Sequence, residues 1–169
     1  MPLTSDFGIS VSGLLTRTAD LTVPSDSLSW NRGLHLDTGT GIGKADLRFH
    51  DTRTLAASAT EDLDLAGVLT DVFGQAITFA RVKLLIVAAA AGNANNVIVG
   101  GAATNTWVGP FGAATHTLAV RPGEAKVICA TGDATAYPVT AGTGDLLKVA
   151  NSGAGTSVTY DIIIVGASA

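Results

Sequence analysis

Charged side chains are scarce in this sequence. Asp, Glu, Lys and Arg make up 14% of its 169 residues, whereas typical globular proteins contain about 25%. The ten basic residues are scattered and are outnumbered by fourteen acidic ones. This argues against a nucleic-acid-binding protein, because such proteins cluster Lys and Arg. A surface so poor in charge either exposes small polar residues or is hidden against other subunits.

Long apolar runs and cysteines are also few. The longest apolar run, residues 82–91, is interrupted by Lys83 and is shorter than the roughly 20 residues that a membrane-spanning helix needs. The first residues, MPLTSDFG, lack the basic and apolar regions of a secretion signal. Cys129 is the single cysteine, so it cannot form an internal disulfide, and it is expected to be a small buried hydrophobic residue. We therefore expect synthesis in a reducing cytoplasm and no membrane partner.

Helix signals and aromatic residues are scarce, and the remaining pattern is typical of β-structure. Hydrophobic residues make up 47% of the chain but aromatics only 5%, so the apolar content is mainly aliphatic. The segment ITFARVKLLIVAAA alternates at first and then becomes continuously apolar, which predicts a strand that is buried on both faces. A single turn in DLAGVLTDVFG is the only helical piece expected.

Short apolar or alternating segments follow at intervals of about 8–12 residues, a spacing typical of sandwiches and barrels. Residues 54–169 are therefore predicted to form one all-β domain, an antiparallel β-sandwich or jelly-roll barrel of about eight strands. The jelly roll is the favoured topology because it closes two sheets with few long edges. The segments after the first strand are NVIVGG, THTLAV, AKVICA, YPVT, DLLKVAN and SVTYDIIIVG.

Residues 1–53 differ from the rest. They hold short extended pieces, such as GISVSGLL and ADLTV, and too little apolar content for a domain. We predict an extended N-terminal arm or hairpin that packs on the barrel or on a neighbouring subunit. Trp30 and Leu34 are its expected anchors, because an exposed aromatic residue favours being covered. Leu14 and Leu15 are further interface candidates.

The glycine-rich stretch DTGTGIGKAD raises the possibility of a phosphate-binding loop. The P-loop pattern G-x-x-x-x-G-K-[ST] would need glycine at Thr38 and a hydroxyl residue at Ala45, so both anchor positions fail. The following ADLRFHD alternates like a strand, so no helix N-terminus is present to receive an anion. The stretch is interpreted as a bend between strands.

Catalytic and metal-binding motifs are not recognisable elsewhere. No histidine belongs to an H-x-x-x-H or Cys–His pair, and no serine lies in G-x-S-x-G. The acidic segment TEDLDLAG lacks the EF-hand order. It leaves either a weak cation site or a turn capped by Asp64. A cupin-type enzyme would need a His/Glu cluster that is not found. The chain is therefore expected to be no enzyme and to bind no metal or cofactor.

Two aromatic residues in VGGAATNTWVGPFG form a separate candidate. Trp107 and Phe111 flank Gly109 and Pro110. This arrangement predicts either a plug at the end of the sandwich or a contact surface for a sugar or a protein partner. Both residues are kept as interface candidates.

Three long segments of the chain resemble small structural proteins from the virion gene clusters of tailed bacteriophages. They are GTGIGKADLRFHDTRTLAASATEDLDLAGVLTDVFG, ITFARVKLLIVAAAAGNANNVIVGGAATNTWVGPFG and DLLKVANSGAGTSVTYDIIIVGAS. The resemblance extends from about Gly39 to the C-terminus and includes no catalytic signature. It implies a β-sandwich or jelly-roll component of the particle.

The function expected from this resemblance is that of a virion structural protein, with a capsid decoration or cement protein as the leading role. Its expected partners are the major capsid protein and copies of itself, as a dimer or trimer, and nucleic acid is not among them. The alternative is a tail or baseplate component whose β domain binds a host glycan or receptor. That alternative depends on Trp107, Phe111 and the Asn-rich turn 93–96.

Overall fold

The regular structure of this chain is β-strand, as the sequence predicts. The computed structural model describes residues 2–132 and 135–169, and no helix occurs within them. No segment in those two ranges is therefore a helix that could span a membrane. The strands are β1 Ser5–Thr16, β2 Ser25–Thr38, β3 Lys44–Ala45, β4 Leu47–Leu55, β5 Thr60–Asp64, β6 Arg81–Ala89, β7 Val97–Gly100, β8 Thr117–Val120, β9 Ala125–Cys129, β10 Tyr137–Pro138, β11 Leu146–Asn151 and β12 Val158–Ala167.

These strands form three sheets. The first is a long antiparallel hairpin of β1 and β2, to which the two-residue strand β3 adds in parallel. The second has the order β4-β12-β6, and both β9 and the short β10 pair with the other edge of β6. The third has the order β5-β11-β7-β8. All pairings in the second and third sheets are antiparallel.

The second and third sheets enclose one hydrophobic core. Residues from both sheets belong to this core, because alternate side chains of each strand point to the same face. The two central strands of the second sheet, β6 and β12, are largely buried on both faces, as the continuous apolar segment predicts. The largest fully buried apolar side chains are Trp107, Tyr160, Phe79, Leu65, Ile77, Leu85, Leu147, Ile162 and Ile164.

The chain crosses repeatedly between these two sheets. It runs from β4 in the second sheet to β5 in the third, returns with β6, and crosses again to β7 and β8. It then supplies β9 to the second sheet, β11 to the third and β12 to the second. Strands that are far apart in sequence therefore lie side by side, and β12 pairs with β4 across more than a hundred residues.

Three details differ from the expectations above. The segment DLAGVLTDVFG forms hydrogen-bonded turns and no helical turn, because its backbone is paired with distant segments: the Leu65 amide donates to the carbonyl of Asp145, and the Leu65 carbonyl accepts from the amide of Phe79, both at 2.9 Å. Cys129 is exposed, because Ile128 occupies the core-facing position of β9 and its neighbour must point the other way. The arm boundary expected at residue 53 falls inside β4, which pairs with β12 along its whole length.

The bend at DTGTGIGKAD surrounds a buried ammonium group. Lys83 is 0% exposed, and its Nζ donates hydrogen bonds to the carbonyl oxygens of Thr40 at 3.3 Å and Lys44 at 2.5 Å, and to that of Gly41. Burial lowers the pKa of Lys83, and the nearby Arg81 cation lowers it further. The loop thus directs carbonyl oxygens inwards, which is the opposite polarity to a phosphate-binding loop.

A β-bulge places Lys83 in this position. Val165 pairs with Leu84 whereas the next residue, Gly166, pairs with Val82, so Lys83 is the extra residue of β6. Val82 consequently faces the main core and Leu84 faces the outer side of the sheet. Any side chain at Gly166 would collide with the backbone and with an aromatic ring. The bulge therefore requires glycine there.

We predict that Lys83→Met destabilises the protein by about 2 kcal/mol, because three inward-facing carbonyl groups lose their donor. Urea unfolding monitored by circular dichroism measures the change. Lys44→Met is the matched control, since that side chain is exposed on the same loop, and it should change the free energy of unfolding by less than about 0.5 kcal/mol. Equal effects of the two substitutions would contradict this account.

A second buried polar group lies in the main core. The Tyr160 hydroxyl donates a hydrogen bond to Oε1 of Glu61 at 2.6 Å, and Arg53 donates to Oε2 of the same carboxylate at 2.5 Å. Burial raises the pKa of Tyr160 well above its usual value, and the hydrogen bond to Glu61 raises it further. The neutral phenol is therefore strongly favoured in the folded state.

This raised pKa predicts a loss of stability at alkaline pH. The contribution of Tyr160 is fully present below the unfolded-state pKa of about 10 and is lost as the pH rises above it, because only the unfolded state then ionises. The free energies of unfolding of wild type and Tyr160→Phe, measured from pH 8 to 11, should converge above pH 10. Curves that remain parallel across this range would contradict the prediction.

Candidate functional site

The hairpin of β1 and β2 is amphipathic. Residues directly opposite each other in an antiparallel pair share one face, so the register from Ser5↔Leu36 to Thr16↔Ser25 assigns every side chain to a face. One face is apolar apart from Ser5, Gly13 and the two charged residues Asp26 and Arg32. The other holds mostly Ser, Gly, Asn and Thr. The apolar face consists of Phe7, Ile9, Val11, Leu15, Leu28, Trp30, Leu34 and Leu36.

The foot of the apolar face packs on the sandwich. Leu36 is buried against Ala45, Leu84 and Val165, and Phe7 packs against the same cluster. This cluster covers the outer side of the second sheet, on the opposite side of β6 and β12 from the main core. The hairpin is therefore joined to the sandwich by apolar contact at its foot. The adjacent bend, whose carbonyl oxygens accept hydrogen bonds from Lys83, is the second connection.

Beyond the foot, the apolar face is exposed along its length. Trp30 is 47% exposed, Leu15 72% and Leu21 at the tip 97%. A two-stranded hairpin is at best marginally stable in water, and a continuous exposed apolar surface marks an interaction site. The exposed apolar residues of the hairpin and its tip are Ile9, Val11, Leu14, Leu15, Leu21, Val23, Leu28 and Trp30.

A groove borders the foot of the hairpin. It has a volume of about 290 Å³. The start of the chain forms one wall, where Leu3 exchanges backbone hydrogen bonds with the Thr38 side chain at 2.9 and 2.7 Å. Val72 and Phe73 supply exposed apolar surface on the other wall. The groove can therefore receive an apolar side chain from outside the chain.

Charged groups join the two strands at the foot. His35 contacts carboxylate oxygens of Asp6 at 2.7 Å and Asp37 at 3.1 Å. The hydrogen bond with Asp6 is the largest cause of a raised His35 pKa, followed by the hydrogen bond with Asp37. Farther along the apolar face, Asp26 and Arg32 make no ion pair within residues 2–132 and 135–169.

The interface candidates from the sequence separate into two groups. Leu15, Trp30 and Leu34 lie on the apolar face of the hairpin, whereas Leu14 lies on its polar face. Sequence reasoning missed Ile9, Val11 and Leu28 of this face. The alternation in SLSWNRGLHL and GISVSG was the signal that could have found them, because every second residue of a strand points to the same side.

Trp107 and Phe111 are core residues and are therefore not available for contact. Trp107 is 1% exposed, and its indole Nε1 donates a hydrogen bond to the carbonyl of Pro138 at 2.8 Å. Its ring meets Phe111 and Tyr137 edge to face, with centroids 6.2 and 6.3 Å apart. These contacts correspond to the plug interpretation, and the contact-surface interpretation is corrected accordingly.

Titratable side chains do not converge on a metal site in the described parts of the chain: no group of three His, Cys, Asp or Glu residues could hold an ion there. In the TEDLDLAG segment, Glu61 is engaged by Tyr160 and Arg53, and Asp64 caps a turn.

Comparison of the chain with protein-family models, curated proteins and solved structures gives no match. The amphipathic hairpin and its foot groove are thus the strongest candidate site.

The raised pKa of His35 gives a test of the hairpin foot. The contact between the strands is strongest below pH 6.5 and weakens as the pH rises through the raised pKa of the folded state. An NMR titration of the imidazole should give a pKa above 6.5, and Asp6→Asn should lower it. Asp26→Asn, on the same hairpin but distant from His35, should leave it unchanged, and a shift with this control would contradict the assignment.

Proposed function

We propose that the chain is a structural subunit of a bacteriophage virion that binds the head shell as a decoration or cement protein. The observation that carries the proposal is the long apolar face of the hairpin. This face is built in regular register and left uncovered by the chain itself. A subunit that is completed by neighbouring subunits has such a surface. The resemblance of the sequence to virion structural proteins supports the same role.

We also propose that the sandwich is a jelly roll of eight strands. The support is the order of its strands, which is β4-β12-β6-β9 in one sheet and β5-β11-β7-β8 in the other. Successive strands alternate between the sheets except at β7 and β8, which are neighbours in one sheet, as in two interlocked Greek keys. β10 is a two-residue addition at the edge of β6. This topology suits a particle component because it leaves few long edges open to unwanted pairing.

The proposed partners are the major capsid protein and copies of the same chain, and the proposed location is the virion. The low charge of the chain supports this choice, because much of a subunit's surface is buried in a symmetric shell. Repetition over the shell also converts weak individual contacts into strong overall attachment. The role requires binding and rigidity, and the proposal assigns no reacting group to any side chain.

The tail or baseplate alternative receives less support. Trp107 and Phe111, on which a glycan platform would depend, are buried. The Asn93 side chain is engaged within the chain, since it both donates to and accepts from the backbone of Thr159 at 2.8 and 2.9 Å. The Asn95 amide likewise contacts Thr156. These groups hold the loops of the sandwich together.

The proposal predicts that purified particles of the phage encoding this chain contain it on the order of hundreds of copies, because a symmetric shell repeats each binding position many times. Quantitative mass spectrometry of the particles, with the major capsid protein as internal reference, measures the ratio. Only a few copies per particle would contradict the decoration role and favour the tail. Complete absence from the particles would overturn the virion assignment.

A further inference from the structure

We propose that the apolar face of the hairpin is covered by the same face of a second copy of this chain, with the two hairpins antiparallel and related by a two-fold axis. This inference rests on the proposed function, because it identifies one of the two proposed partners. In this arrangement, surfaces of the subunit other than the apolar face make the contact with the capsid. Three features of the hairpin support this arrangement.

The first feature is the placement of the two charges on the apolar face. Asp26 and Arg32 lie three residues on either side of Ser29, which pairs with Ser12. Consider a two-fold axis that lies between the two apolar faces and runs perpendicular to the strands at the level of the Ser12–Ser29 pair. It stacks β2 of one copy antiparallel on β2 of the other and brings Asp26 of each copy over Arg32 of the other. Both charges thereby gain a partner in the dimer, and an unpaired buried charge is costly.

The second feature is the fit of the apolar side chains under the same axis. Leu28 of one copy lies over Trp30 of the other, so that the two largest side chains near the axis cover each other. Val11 lies over Gly13, where the absence of a side chain leaves space for it. The alternative parallel stacking would place Asp26 over Leu15, and its carboxylate would be buried without a partner.

The third feature is the length of the hairpin. β1 continues for four residues beyond Ser12, about 14 Å in an extended strand, and residues 17–24, which include Leu21, form the tip beyond it. Leu3 lies nine residues before Ser12 and forms a wall of the foot groove. The two-fold axis therefore directs the tip of each copy towards the foot groove of the other, where the exposed Val72 and Phe73 complete the apolar surface.

This tip contact supplies area that the strands alone do not. A ribbon of two strands about 40 Å long and about 10 Å wide presents only about 400 Å² of face per copy. A specific dimer generally buries at least about 1,200 Å² in total. Engagement of both tips with both grooves is therefore part of the proposed interface. Leu21 and Val23, the exposed apolar residues of the tip, are the side chains that enter the grooves.

Light scattering coupled to size-exclusion chromatography of the full chain tests the proposal. Wild type should be a dimer. Leu15→Ser should weaken dimerisation by at least about 100-fold, because each dimer loses two buried leucine side chains. Leu14→Ser is the matched control: Leu14 is 68% exposed, close to the 72% of Leu15, but lies on the polar face. It should leave the dimer intact.

Charge reversal tests the antiparallel register. Asp26→Arg and Arg32→Asp should each weaken the dimer, because each places like charges over one another twice. The double variant Asp26→Arg/Arg32→Asp should restore it. All these positions are exposed in the single chain, and circular dichroism verifies that each variant is folded.

A monomeric or trimeric wild type, equal effects of Leu14→Ser and Leu15→Ser, or failure of the double reversal to restore the dimer would overturn the inference. These outcomes are distinct from failure of the proposed function, because the number of copies per particle is measured separately. A chain that is abundant on particles but monomeric in solution refutes the dimer alone. A dimer that is absent from particles refutes the virion role alone.

Discussion

A single buried ammonium group connects the two parts of this molecule. Lys83 extends from the bulge of β6 into the loop that follows β2, where three backbone carbonyl oxygens accept its hydrogen bonds. Because this loop begins where the hairpin ends, its position sets the angle at which the hairpin leaves the sandwich. The apolar face can serve as a docking surface only if that angle is reproducible. The rigidity of the hairpin foot therefore depends on the sandwich core.

The sequence predicted the strands well but could not assign their faces. Alternation and apolar continuity identified β6, β11 and β12, because period-two patterns are a direct consequence of strand geometry. In KVICA, by contrast, apolar residues lie on both faces of the strand, so the sequence does not reveal which face points to the core. Cys129 points outwards because Ile128 takes the core-facing position of β9.

The candidate site was predictable only in part, for a related reason. Trp30 and Leu34, which lie on the apolar face, were identifiable as interface candidates because apolar residues are conspicuous in a polar segment. Leu14 and Leu15 are adjacent and equally apolar, and only the pairing register separates their faces. The burial of Trp107 depends on Tyr137 and Pro138, which lie some thirty residues later in the chain. Such long-range contacts leave no trace in the local sequence pattern.

The position of β12 has a consequence for how the molecule is made. This strand is central in its sheet and pairs with both β4 and β6, yet it follows every other strand of the sandwich in chain order. The second sheet therefore cannot be completed until β12 has been synthesised, and contacts between distant segments form slowly. The hairpin, whose two strands are neighbours in sequence, emerges before the strands of the sandwich, with its apolar face bare. Nascent chains on one messenger are thus exposed to premature association, and a chaperone that covers the hairpin at this stage would protect them.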